Sequence, residues 1–194
     1  DPSTRKTAVA ERQAKSILNR NQSPDLSFDH TLNPYRGCEH GCVYCFARPT
    51  HAFLGLSPGL DFESKLYAKP DAPQLLEKEL AAQDYEPRMI AIGTNTDPYQ
   101  PIERERQIMR GILEVLDRAG HPVGIVTKSA LVIRDIDILA RMAKRNLAKV
   151  ALSVTTLDAT LARTMEPRAS TPPRRLEALR RLSEAGIPTT IIIT

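Results

Sequence analysis

Residues 123–154, VGIVTKSALVIRDIDILARMAKRNLAKVALSV, decide the fold. The stretch opens on the apolar run Val123-Gly124-Ile125-Val126 and breaks into the polar turn Thr127-Lys128-Ser129. It continues with Ile136, Ile138, Leu139 and Met142 at helical spacing, then closes on a second apolar run from Val150 to Val154. A strand, a helix and a strand in that order, with strand starts roughly thirty residues apart, make a right-handed crossover between parallel strands of one sheet.

The same beat runs in both directions. Upstream, Met89-Ile90-Ala91-Ile92 ends in the polar turn Gly93-Thr94-Asn95-Thr96-Asp97-Pro98. A helix follows, with Ile108, Met109, Ile112, Leu113, Val115 and Leu116 on one face and Gly120 as its stop. Downstream, the run at 150–154 ends in Thr155-Thr156, residues 176–182 are helical with Gly186 as a stop, and residues 189–193 open another strand. Residues 26–32 read as the first strand, residues 62–68 as a short strand outside the main sheet, and residues 72–82 as a helix. Residues 4–20 carry a weak apolar stripe of Ala8, Ala10, Ala14, Ile17 and Leu18, which predicts an N-terminal helical extension. The expected organisation is that extension over residues 1–27 and one α/β domain over 28–194. No glycine-rich nucleotide fingerprint follows any strand, so an incomplete (β/α) barrel, a curved parallel sheet with outer helices, fits better than a dinucleotide-binding open sheet. The chain starts at Asp1 and ends in strand-like sequence, so it reads as a piece of a longer protein.

Composition narrows the class. With 194 residues the chain can bury one sizeable core, and it shows neither a secretory signal nor an apolar run long enough to span a membrane. A soluble protein of a reducing compartment, the cytoplasm, is the expectation. Net charge is +4, from 27 Lys and Arg against 23 Asp and Glu. The arginines bunch at Arg104, Arg106 and Arg110 and again at Arg168, Arg174, Arg175, Arg180 and Arg181. Such groups either face nucleic acid or form the solvated sides of helices, the more common case.

The three cysteines, Cys38, Cys42 and Cys45, all lie in CEHGCVYC at residues 38–45. A Cys-x3-Cys-x2-Cys loop offers three thiolates to one centre and leaves a four-coordinate site one protein ligand short, a corner that a cofactor can take. A disulfide fits poorly, because cysteines this close close only a small strained ring. Zinc is the serious rival, with His40 or His51 as fourth ligand, and a zinc-stabilised nucleic-acid-binding module is the function it would imply. Zinc loops usually come as two separated ligand pairs, so a cluster is favoured, and His40 and His51 are read as polar neighbours. The cysteine loop follows the first strand, and in a sheet of (β/α) units the residues closing each strand share one rim. Residues 94–97, 127–129 and 153–156 should therefore meet the cysteines there.

This pattern resembles the radical S-adenosylmethionine (SAM) superfamily. Within it, NPYRGCEHGCVYCFARPTH, GTNTDPYQPIE, VTKSALVIRD, SVTTLD and MEPRA are similar to proteins related to spore photoproduct lyase, called DNA repair photolyases, and to a bacterial subgroup of unproven activity. The resemblance runs from about Phe28 to the end. It implies a 4Fe-4S cluster on Cys38, Cys42 and Cys45, with SAM chelating the fourth iron. It further implies SAM contacts from Tyr44, Thr96, Asp97, Lys128, Ser153 and Thr155, and Arg168 is a further candidate for the SAM carboxylate. An electron from a flavodoxin or ferredoxin, reductive cleavage of SAM to methionine and a 5′-deoxyadenosyl radical, and hydrogen abstraction from a substrate, DNA or alternatively RNA or protein, follow from the same resemblance. Two positions depart from the lyases. Residues 93–96 hold no cysteine to return a hydrogen atom to the product, and Phe46 replaces the tyrosine that follows the last cluster cysteine.

Overall fold

The computed structural model describes residues 6–21 and 28–193. Its main sheet has six strands in the order β2-β3-β6-β7-β8-β9: β2 (Leu18–Arg20), β3 (His30–Leu32), β6 (Ile90–Ile92), β7 (Val123–Thr127), β8 (Ala148–Ser153) and β9 (Thr189–Ile192). From β3 to β9 every neighbouring pair is parallel, and β2 adds antiparallel to the edge. The crossovers carry α4 (Ile108–Ala119), α5 (Ile136–Ala143) and α7 (Pro172–Glu184). Ile90, Ile92, Ile125, Val150 and Leu152 from the strands pack with Ile112, Leu116, Leu139 and Leu182 from the helices in one core. Strands covered this way are apolar in continuous runs, which is why the beat is visible in sequence.

A second sheet has three strands, β1 (Ala8–Glu11), β4 (Tyr35–Arg36) and β5 (Lys65–Ala68), in the order β1-β5-β4. It lies outside the main sheet, as expected, but residues 60–64 form the short helix α1 (Leu60–Ser64), so the strand begins at Lys65. The helix expected at 72–82 is α2 (Ala72–Leu80). The first part of the strand expected at 26–32, Leu26 and Ser27, lies outside the described residues.

The N-terminal helical extension is a correction. Residues 8–11 pair parallel with β5, Val9 opposite Leu66, and residues 18–20 pair with β3. Ile17 is buried in the main core. Two open sheet edges supply hydrogen-bond partners that a weak local helical preference cannot match. A helix without a sequence signal also appears, α6 (Ala159–Met165), started by Asp158, whose Oδ1 accepts from the amides of Thr160 (2.7 Å) and Leu161 (3.0 Å). It buries only Ala162 and leaves Leu161 exposed, so it shows no apolar stripe.

Beneath the rim, the segment after β6 is fastened by a buried polar network. Arg134 pairs with Glu103 at 2.7 Å and with Asp135 at 2.8 Å, Tyr99 donates to Asp135 at 3.0 Å, and Arg110 reaches Asp135 at 3.1 Å. These contacts fix α3 (Glu103–Arg106) and hence the polar turn that precedes it. Among the described residues no helix is long and apolar enough to cross a membrane.

Candidate functional site

The cysteine loop leaves β4 through Gly37 and turns again at Gly41, where φ is +69°. That backbone conformation is what favours glycine there, and a Cβ would in addition press on the Glu63 carboxylate end at 2.2 Å. Arg48 then braces the loop from below, donating to the carbonyls of Cys42 (3.0 Å), Gly41 (3.0 Å) and Gly59 (2.9 Å). The turn after β6 braces it from the side. Gln100 accepts from the Glu39 amide at 2.8 Å and donates to the Gly37 carbonyl at 3.2 Å, while Glu39 accepts from the Ile102 amide at 2.6 Å. The resulting wall holds Cys38 and Cys42 buried and Cys45 half-buried, all as free thiols.

The three cysteines line one cavity of about 320 Å³ together with Tyr44, Asp97, Lys128 and Ser153. Strand ends bring these together as expected. Asp97 accepts from the Thr127 hydroxyl and the Lys128 amide, each at 2.7 Å, and the Lys128 ammonium donates to the Ser153 hydroxyl at 2.6 Å. That ammonium also sits 5.7 Å over the Tyr44 ring. Gly93, with φ +92°, lets β6 pass against β7, since a Cβ there would meet the Val126 carbonyl oxygen at 1.9 Å.

The hub of the arrangement is a residue that sequence reading passes over. Glu166, buried just after α6, accepts from Thr155 (2.8 Å), from Tyr44 and from Arg175, and lies 3.7 Å from the Lys128 ammonium. Burial opposes its charge, yet Arg175 and Tyr44 hold its carboxyl below the usual carboxylate range. Thr155 therefore reaches the site through Glu166 and Tyr44, not as part of the cavity wall. Its sequence signal was the MEPRA stretch, in which only Arg168 was singled out.

Two expected SAM contacts are directed elsewhere. Thr96 is buried and donates to the Tyr35 carbonyl at 2.9 Å, and Arg168 donates to the Glu63 carbonyl at 2.6 Å and to Thr7 at 3.3 Å. Neither lines the cysteine cavity. His51 serves the scaffold, its Nε2 2.9 Å from the Lys65 carbonyl, whereas His40 lines the cysteine cavity, its Nδ1 3.3 Å from Asp97 at ion-pair distance. Several of the bunched arginines hold carboxylates: Arg106 with Glu11, Arg110 with Asp135 and Asp137, Arg175 with Glu166, and Arg180 with Glu177 and Glu184.

The donor set fits an iron–sulfur cluster. Burial, then Cys38 and Glu166, push the Cys42 thiol up, and burial also pushes Cys45 up, so the thiolates need cationic metal beside them to persist. Among the described residues no three His, Cys, Asp or Glu side chains are gathered to hold a single ion. A cluster, by contrast, gives each thiolate its own iron. Lys128 supplies a cation in the lining of the same cavity, suited to a carboxylate. Lys128→Ala is therefore expected to weaken SAM binding about tenfold, the loss of one charge-assisted contact, while iron and sulfide content stay unchanged. Anaerobic equilibrium titration with SAM, beside iron and sulfide assays, checks this.

Comparison with known proteins agrees with this geometry. Residues 32–194 match the model of the radical SAM superfamily. An uncharacterized protein of Mycobacterium tuberculosis is 38% identical over 180 residues, covering 92% of this chain and 53% of that protein. An uncharacterized protein of Methanocaldococcus jannaschii is 27% identical over 183 residues, covering 94% of this chain and 65% of that protein. This chain thus spans about half to two-thirds of the length of these curated relatives. In structure it is similar to spore photoproduct lyase complexed with dinucleoside spore photoproduct, with a TM-score of 0.66 at 16% identity over 96% of this chain and 51% of the other. Radical SAM proteins use a 4Fe-4S cluster and SAM, a pair that three cysteines of one loop and a lysine in the same cavity suit. On the sequence match and the cavity together, the chain belongs to the radical SAM superfamily.

Proposed function

We propose that this chain holds a 4Fe-4S cluster on Cys38, Cys42 and Cys45 and SAM against Lys128, Ser153, Asp97 and Tyr44, as a radical SAM enzyme acting on DNA. The observation that carries the reading is the single cavity lined by the three thiols together with Lys128, Ser153, Asp97 and Tyr44. When bound, the cluster and SAM supply a 5′-deoxyadenosyl radical, the species that abstracts hydrogen from substrate. The chain's own residues position and shield. Lys128 offers its ammonium to the SAM carboxylate, steadied by Ser153 and, at longer range, by Glu166. Tyr44, fixed by Glu166, gives a flat face for the adenine. Cys38 and Cys42 are buried, which limits water on the metal side, and Cys45 is the most exposed of the three; a flavodoxin or ferredoxin would supply the electron. Free thiols of this kind suit the reducing cytoplasm.

DNA as substrate is supported by the likeness to spore photoproduct lyase, a lyase-type repair reaction being the model. Thr94 and Phe46 set a condition on it: neither carries a transferable hydrogen of the thiol or phenol kind, so a repaired-base radical must be quenched by a group elsewhere. The test is anaerobic reconstitution followed by reduction with dithionite in the presence of SAM. About four irons per chain and release of 5′-deoxyadenosine are expected. A colourless protein that binds zinc and leaves SAM intact would overturn the reading.

A further inference from the structure

A second, larger cavity of about 610 Å³ lies beside the cysteine cavity, and Thr94 and Asn95 line both. The turn after β6 is thus a shared wall, and whatever fills the second cavity lies next to the site of radical formation. Its lining includes Lys69 and Arg36 and no carboxylate.

Lys69 is only 9% exposed, and its ammonium donates to the Asn33 carbonyl at 2.8 Å. Among the described residues no carboxylate forms an ion pair with it. Burial first, then Arg36 and Arg12, push its pKa down to about 8, with Asp71 opposing. A buried ammonium beside other cations, with Asp71 acting on it only at longer range and no ion pair among the described residues, costs free energy in the free protein and is relieved by an arriving anion. At the rim stands Phe53, 89% exposed, an aromatic face beside the cations. Cations with an adjacent aromatic platform are the elements by which single nucleotides of a strand are held.

We propose that this second cavity is the substrate pocket, in which Lys69 and Arg36 bind a phosphate and Phe53 stacks the base of a nucleotide. Its assignment to substrate rests on the function proposed above, whereas the anion site stands on its own contacts. Arg36 and Lys69 are adjacent in space because Arg36 pairs with Tyr67 across β4 and β5, two residues before Lys69.

Calorimetric titration of the reconstituted full-length enzyme with thymidine 5′-monophosphate, thymidine and inorganic phosphate tests it; a pyrimidine avoids competition at the adenine position. The nucleotide is expected to bind more tightly than thymidine, and less tightly as salt is raised. Lys69→Met should weaken the nucleotide by about tenfold or more and the exposed Arg36→Ala by about fivefold. Phe53→Ala should weaken the nucleotide and leave inorganic phosphate unaffected. The melting temperature of Lys69→Met should not fall below that of the parent, since the change removes an unpaired buried charge. Nucleotide affinity within twofold of the parent in both cation variants would overturn the phosphate site. Inorganic phosphate binding as tightly as the nucleotide, with no effect of Phe53→Ala, would overturn the nucleotide assignment. Failure of the parent enzyme to release 5′-deoxyadenosine in the same preparations would instead refute the function proposed above and leave the anion site standing.

Discussion

Replacing any one of Cys38, Cys42 or Cys45 by Ala is expected to abolish both the brown chromophore and SAM cleavage. The chain contains three cysteines, so no spare thiol can move into the gap. A cluster left with two thiolates would lose a third of its protein anchorage, and with it the fixed iron that SAM would chelate. The expected fall in 5′-deoxyadenosine release is to background, at least about a thousandfold, as when an essential metal ligand is removed. Iron and sulfide assays with the visible spectrum, after anaerobic reconstitution, check the first half, and product analysis the second. A variant keeping a full cluster and its activity would remove that cysteine from the ligand set.

The second large effect concerns stability. Arg175, 1% exposed, donates to the carbonyls of Ser170 (2.7 Å) and Ser153 (2.9 Å) and pairs with Glu166. Arg175→Met should cost about 3–5 kcal/mol, because it leaves the Glu166 carboxylate buried without its partner. Urea denaturation at pH 7 measures this. The folded protein holds the Glu166 carboxyl below its usual range, so the stability it contributes is present above the unfolded value of about 4.3 and is lost as pH falls through the lower folded value. The penalty of Arg175→Met should therefore shrink in acid, where Glu166 is protonated. Adding Glu166→Gln should restore part of the loss at pH 7, and strict additivity of the two changes would show that they do not act as a pair.

Much of this architecture is legible in the sequence because burial against the helices leaves apolar runs at 90–92, 123–126 and 150–152, each closed by polar residues at the rim, even though Lys149 is exposed. Asp97, Lys128 and Ser153 follow from that position alone. Thr96 does not, since neighbours in an extended turn point opposite ways, and beside Asp97 it faces the Tyr35 carbonyl. Arg168 and Arg175 look alike in a basic stretch, yet one is taken by the Glu63 carbonyl and the other is buried as the partner of Glu166. Only tertiary contacts distinguish them. The first residues were misread for a related reason: the edges of two sheets decide the conformation of 8–11 and 18–20, and no local pattern announces an available edge.

The brace beneath the cysteine loop bears on how the protein survives oxygen. Arg48 and Gln100 grip backbone carbonyls and an amide, not sulfur, so the shape of the socket rests on groups that oxidation leaves untouched. A zinc finger unfolds when its metal leaves, whereas a loop tied in this manner keeps its form when its irons are stripped. Provided the thiols are reduced again, refilling then becomes a matter of delivering iron and sulfide to a standing mould, and a molecule damaged by air can be returned to service without being remade.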